Sequence, residues 1–169
     1  MERPKDKSVV SSKCIFKKKN STDGSNENFI ARFVAQGFSQ KEGIDYEQNF
    51  VPIDRYTSII TILALDSKMR CKLHKMDVNT TFLNGVIDEE VYIEQPLGFE
   101  IHDKKTRVYR LKKSLYGLKQ APKAWYIRIN GFPMSLGFTK SKADSNLYYK
   151  VEDDGFMILL LYVNDLFLT

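Results

Sequence analysis

The chain has 169 residues, 43% of them hydrophobic and 28% charged, with a formal net charge of +5. That is long and apolar enough to bury a core as one domain or a domain piece, which excludes a disordered tail. The basic excess suits a polyanionic partner and equally suits an ordinary solvated surface. Cys14 and Cys71 lie far apart without CxxC spacing, which excludes a disulfide scaffold or a cysteine zinc site and fits a reducing compartment. Met1 to Asn28 lacks the charged-then-apolar layout of a signal peptide, and the longest apolar run, Phe156 to Val163, is far short of the roughly 20 residues that span a bilayer. The expectation is a soluble, intracellular protein with no membrane partner, cytoplasm and nucleus both open.

In chain order, Met1 to Asn28 is rich in Lys, Ser and Asn, and its turn-like Ser21-Thr22-Asp23-Gly24 reads as part of a hairpin arm or a frayed start. Phe29 to Ala35 is β-rich, encloses Arg32 and is closed by Gly37, which predicts a strand. After a loop from Gly43 to Asp54, Thr57 or Ser58 can cap a helix whose apolar residues Ile59, Ile62, Leu63 and Leu65 recur at helical spacing up to Met69. Cys71 to Val78 alternates as a strand with Asp77 at its end, followed by a helical turn from Thr80 to Leu83. Val91 to Ile93 and Val108 to Leu111 are further strands.

Pro122 suits the first turn of a helix, with Ala121, Trp125, Ile129, Phe132 and Leu136 lining one buried face. Pro133 falls inside that pattern, removes a backbone hydrogen bond at a cost of about 3 kcal/mol, and predicts a broken helix there. Leu147 to Val151, a turn at Glu152-Asp153-Asp154-Gly155, and Phe156 to Tyr162 form a predicted β-hairpin. Leu166 to Thr169 adds a short strand.

Two carboxylates follow hydrophobic strands, Asp77 in Lys75-Met76-Asp77-Val78 and Asp165 in Tyr162-Val163-Asn164-Asp165. Nucleotidyl transfer uses such groups, because paired Mg²⁺ ions about 3.5–4 Å apart stabilise the attacking and leaving oxygens and need hard oxygen ligands. Each aspartate alone is more often a turn former or a helix cap than a metal ligand.

The longer words narrow the choice. Ala31-Arg32-Phe33-Val34-Ala35-Gln36-Gly37-Phe38 through Asp45-Tyr46, and Arg55-Tyr56-Thr57-Ser58-Ile59, resemble the fingers region of copia-type retrotransposon polymerases. His74-Lys75-Met76-Asp77-Val78-Asn79-Thr80-Thr81-Phe82-Leu83-Asn84-Gly85 resembles the family's first palm motif, and Gln95-Pro96-Leu97-Gly98-Phe99 its usual sequel. Ser114-Leu115-Tyr116-Gly117-Leu118-Lys119-Gln120-Ala121-Pro122-Lys123-Ala124-Trp125 resembles its template-and-nucleotide motif. Leu136-Gly137-Phe138 through Tyr149 leads to the Tyr-Val-Asp-Asp hairpin position.

The chain thus resembles, over nearly its whole length, a piece of a copia-type LTR retrotransposon reverse transcriptase, the RNA-directed DNA polymerase portion of a Pol polyprotein. The resemblance implies an α+β fold of fingers and palm, with an antiparallel sheet, helices packed on one face and no thumb. Residues 1–70 would be mainly fingers and 71–169 mainly palm, with part of the fingers interleaved. It implies Asp77, Asn164 and Asp165 at the catalytic and metal-ligand positions, the Val78 carbonyl assisting, and two Mg²⁺ or Mn²⁺ ions in an intact relative. Phe82 would be the aromatic gate against a ribose 2′-hydroxyl, or else a core aromatic. Arg32 and Lys119 would face the incoming triphosphate, with a solvated surface lysine as the other reading of Lys119. Tyr116 and Gly117 would admit the nucleotide and template close to the backbone. The partners implied are an RNA or DNA template-primer and deoxynucleoside triphosphates.

The sequence also departs from that family. Asn164 stands where it carries the first hairpin aspartate, Cys14 where it has Trp, Ile30 where it has Lys and Thr81 where it has Ala. Asn retains one oxygen of similar shape but loses the charge, so cation affinity should fall by at least on the order of 100-fold. The chain stops a few residues past the hairpin, from which an unpaired apolar strand edge is expected. The expectation is an impaired or inactive polymerase. A non-enzymatic nucleic-acid-binding remnant and an unrelated palm-like nucleotidyl enzyme are the alternatives.

Overall fold

The computed structural model describes residues 1–20, 27–47, 51, 56–101, 106–153 and 155–169. In chain order the elements are β1 (Val9–Val10), β2 (Ser12–Asn20), β3 (Glu27–Ala35), α1 (Tyr56–Met69), β4 (His74–Asp77), β5 (Tyr92–Glu94), β6 (Val108–Arg110), α2 (Ala121–Ser135), β7 (Thr139–Lys140), β8 (Leu147–Glu152), β9 (Gly155–Tyr162) and β10 (Asp165–Leu168). Short 3-10 turns occupy Gly37–Ser39 and Thr81–Asn84. The fold is α+β, and the chain divides into two compact units, 1–49 with 82–125 and 50–81 with 126–169. Among the described residues no helix is long and apolar enough to cross a membrane.

The first unit contains two sheets. β1 runs parallel to β5, which pairs antiparallel with β6. β2 and β3 form a separate antiparallel ribbon in register from Ser12↔Ala35 to Asn20↔Glu27, which is the hairpin arm expected at the start of the chain. The turn residues Ser21 to Gly24 lie outside the described residues. Because directly paired residues share a face, Lys13, Lys17 and Lys19 lie on the side of Ile15 and Arg32. Phe16, Lys18, Phe29 and Phe33 lie on the other.

Alternation along the strands sends one set of side chains inward, and here the inward set is small and branched. Val10, Ala35, Val91 and Ile93 pack with Leu115, Leu118, Ala121 and Ala124, and Phe33, Phe82 and Leu83 close over them. Two glycines let the backbone come this close. A Cβ on Gly37 would lie 2.0 Å from the Gly117 carbonyl oxygen, and one on Gly117, at φ +90°, would lie 2.0 Å from that of Ala35.

The second unit is built on a five-stranded antiparallel sheet in the order β4-β10-β9-β8-β7. Its core is Tyr148, Leu159, Leu161 and Leu166, against which Val78, Ile129, Phe138 and Leu168 pack. β8 and β9 are the predicted hairpin, although Asp154 of its turn lies outside the described residues.

Several expectations are corrected. Among the described residues there are three sheets instead of one antiparallel sheet, one with a parallel pair. β10 is not an unpaired edge, because it is hydrogen-bonded to β9 on one side and β4 on the other. Thr57 and Ser58 lie inside α1 rather than capping it, and only Ile62 of its apolar residues is buried. On α2 the buried face runs through Ala121, Trp125 and Pro133, while Phe132 and Leu136 are half exposed at 54% and 50%.

α2 also passes through Pro133 and ends at Ser135. Proline has no N–H to donate, and the helix ends two residues beyond it, closed by other bonds. The Gly137 N–H donates to Met134 O at 3.0 Å and the Phe138 N–H to Pro133 O at 3.1 Å. With Gly137 at φ +83°, this is a Schellman stop.

Candidate active site

β4 ends at Asp77 and β10 begins at Asp165, and the register pairs the two residues directly. Two antiparallel neighbours at one register position place their side chains on the same face about 4.5–5.5 Å apart at Cβ. The chain therefore brings together, from positions 88 residues apart, the two carboxylates singled out in the sequence. Asn164 is in the same place. Its backbone carbonyl accepts the Val78 N–H at 2.8 Å, and its side-chain amide donates to Asp77 Oδ1 at 2.5 Å. The Val78 carbonyl in turn accepts the Thr81 hydroxyl at 2.7 Å.

The turn joining β9 to β10 consists of Val163 and Asn164 alone. A two-residue hairpin needs positive φ, normally met by Gly or Asn. Here Val163 takes it, at φ 53°, and Thr80, three residues beyond Asp77, takes φ 54°. Both are β-branched, for which this region is strained. Such strain concentrates at functional sites, and here it lies on either side of the carboxylate pair.

One of the pair's charges is met by the chain itself. The Lys75 ammonium lies 3.1 Å from Asp165 Oδ2 and 5.9 Å from the centre of the Phe167 ring, its register partner. Sequence reasoning passed over Lys75. The signal was available, because residues two apart on a strand share a face, which puts Lys75 beside Asp77.

As donors for two divalent ions these residues fall short. Among the described residues no group of three or more His, Cys, Asp or Glu could hold a metal. Asp77 and Asp165 are the two carboxylates present, one engaged by an amide and the other by an ammonium. Mg²⁺ in nucleotidyl-transfer sites keeps several waters and takes one or two protein carboxylates plus substrate phosphates, and here both carboxylates are already engaged by donors of the chain. The residues as they stand make a weakened ligand set for two ions.

The remaining candidates form a cluster in the first unit. The Phe82 and Tyr116 rings meet edge to face at 5.4 Å, and the Arg32 guanidinium lies 5.9 Å from the Tyr116 ring centre. The Tyr116 carbonyl accepts the Ala35 N–H at 2.8 Å, which ties this segment to the end of β3. Phe82 packs on the core as well as on Tyr116. Lys119 is exposed, and its backbone N–H donates to Gln40 Oε1 at 2.8 Å. Gln40 is buried and donates from Nε2 to the buried Gln120 Oε1 at 2.9 Å. That amide pair has no periodic signature in the sequence. Arg55, from the second fingers-like word, lies outside the described residues.

All 169 residues match the family model described as reverse transcriptase (RNA-dependent DNA polymerase), and the chain belongs to that family. Within it the chain is of the copia retrotransposon type. It is 43% identical over 170 residues to the retrovirus-related Pol polyprotein from transposon TNT 1-94 of Nicotiana tabacum, covering 100% of this chain and 13% of that protein. It is 37% identical over 166 residues to the corresponding polyprotein from transposon RE1 of Arabidopsis thaliana, covering 98% and 11%. Against the truncated transposon Ty1-A Gag-Pol polyprotein of Saccharomyces cerevisiae it is 35% identical over 127 residues, 75% of this chain and 10% of that one. The chain thus spans a small part of the length of these relatives. No solved structure matches it.

Proposed function

We propose that this chain is the fingers-and-palm portion of an RNA-directed DNA polymerase in which the chemistry is impaired. Residues 1–70 would be mainly fingers and 71–169 mainly palm, with part of the fingers interleaved. The reaction is in-line attack of a primer 3′-hydroxyl on the α-phosphate of a deoxynucleoside triphosphate, forming a phosphodiester and releasing pyrophosphate. The observation that carries this reading is the direct register pairing of Asp77 with Asp165 beside a strained two-residue turn, in a chain that matches the family throughout.

Asp77, Asp165 and the Val78 carbonyl are the ligand positions for Mg²⁺ or Mn²⁺, with Asn164 the weakened member. Divalent ions in such chemistry stabilise the attacking and leaving oxygens, and a site one carboxylate short supplies this poorly. Template-primer and deoxynucleotide are the partners. Arg32, Lys119 and Tyr116 meet the nucleotide, Gly117 allows close backbone approach, and Phe82 blocks a 2′-hydroxyl. The test is primer extension on an RNA template by the Asn164→Asp form, with and without Phe82→Ala. Removal of the ring should relax the preference for deoxy- over ribonucleotides by at least about 10-fold. Unchanged sugar selection, or no product from either form, would count against the reading.

A second reading has its own support in the lysine-bearing face of the β2–β3 ribbon, Lys13, Lys17 and Lys19 beside Arg32. It makes the chain a non-enzymatic nucleic-acid binder held by phosphate contacts. Affinity for single-stranded RNA should then fall steeply with salt, and a flat response would dismiss it.

A further inference from the structure

We propose that Lys75 and Asn164 together stand in for a divalent cation, holding the Asp77–Asp165 pair partly charge-compensated and hydrogen-bonded without one. This rests on the reading of the two aspartates as ligand positions. Like charges directly opposed on neighbouring strands destabilise a sheet, and Asp77 and Asp165 are so opposed. Each carboxylate here is met on one oxygen by a donor of the chain, Asp165 Oδ2 by the Lys75 ammonium and Asp77 Oδ1 by the Asn164 amide.

Both donors are placed for the task by the fold. Lys75 sits two residues before Asp77 on β4, hence on the same face, and its register partner Phe167 lies two residues after Asp165 on β10. The ammonium thus lies diagonally across from Asp165, with the Phe167 ring 5.9 Å from it. Asn164 is anchored through its own backbone, whose carbonyl accepts the Val78 N–H. An aspartate at 164 would provide no amide donor and would add a third negative charge, with only Lys75 opposing it among these four side chains. Asparagine at 164 and lysine at 75 therefore work in the same direction, lowering the need for a cation while raising the cost of binding one. An entering ion must displace the ammonium and turn the amide.

The Lys75 side chain is 59% exposed and that of Asp165 21%, so the pair is a solvated one, and its displacement should weaken metal binding by about 2- to 5-fold. The experiment uses the whole chain and Mn²⁺ alone, reading free Mn²⁺ by electron paramagnetic resonance and the thermal midpoint in chelator. The variants are Lys75→Gln, Asn164→Asp, the double variant, and Lys75→Arg to keep the charge. The expected result is that Lys75→Gln tightens Mn²⁺ by about 2- to 5-fold in both backgrounds. It should also lower the metal-free midpoint, while Mn²⁺ restores it and Lys75→Arg behaves as the parent. If Asn164→Asp tightens Mn²⁺ but Lys75→Gln changes neither affinity nor midpoint, the stand-in is overturned and the ligand reading survives. If no form binds Mn²⁺, the double variant included, both are overturned.

Discussion

At position 164, where the family resemblance implies a carboxylate, this chain has an amide of nearly the same shape, and the proposed consequences follow from charge and hydrogen-bond polarity rather than size. A carboxylate accepts only, whereas the amide also donates, and in this chain it donates to Asp77. Its neighbour Val163 carries a separate cost. A β-branched side chain at φ 53° sits in a region that costs L-residues about 1–2 kcal/mol, and at 51% exposure it recovers little by burial. Val163→Asn should therefore stabilise the protein by about 1 kcal/mol, read as a rise in thermal midpoint. An unchanged or lower midpoint would mean that the turn is not strained as described. The identity of these residues was legible in the sequence, but the strain was not. Nothing in a valine signals positive φ until the two-residue turn between β9 and β10 is known.

Among the elements, strands were the more legible, β4 from its alternation, β3 from its β-rich composition closed by Gly37, and the β8–β9 pair from two apolar runs flanking a turn. The helices were less so. The stripe Ala121, Trp125, Ile129, Phe132 and Leu136 was read as one face, yet burial follows a four-residue step through Ala121, Trp125 and Pro133 and leaves Phe132 and Leu136 half exposed. Proline is apolar as well as helix-breaking, and its packing role prevailed once the Gly137 stop fixed the helix end. For α1 the apolar spacing was sound, but spacing does not say how much of a face finds a partner, and only Ile62 is buried. Glycine 117 illustrates the reverse, a local feature with a long-range cause. Its φ of +90° and the 2.0 Å approach to Ala35 O predict that Gly117→Ala costs at least about 2 kcal/mol in urea denaturation. A loss below about 0.5 kcal/mol, ordinary for a surface change, would contradict the close approach.

Across the whole molecule, the two units have separate cores, and the candidate residues divide between them, with the carboxylates in one and Arg32, Phe82 and Tyr116 in the other. The second core is closed by Tyr148, which is fully buried and donates its hydroxyl to Asn130 Oδ1. Burial first, and the nearby Tyr126 second, hold that hydroxyl well above its ordinary value of 10.0. The folded state then keeps a proton that the unfolded chain releases, so this contribution to stability is complete below pH 10 and is lost as pH rises beyond it. Stability measured through the alkaline range should fall above pH 10, and Tyr148→Phe should flatten that slope. An unaltered slope in the variant would place the titration elsewhere.

The central question is what Asn164 does to the proposed reverse-transcriptase site. Primer extension on an RNA template, comparing this chain with its Asn164→Asp variant under the same Mg²⁺ and Mn²⁺, measures that effect. The aspartate form is expected to give at least on the order of 100-fold more incorporation. Equal incorporation by the two forms would contradict this.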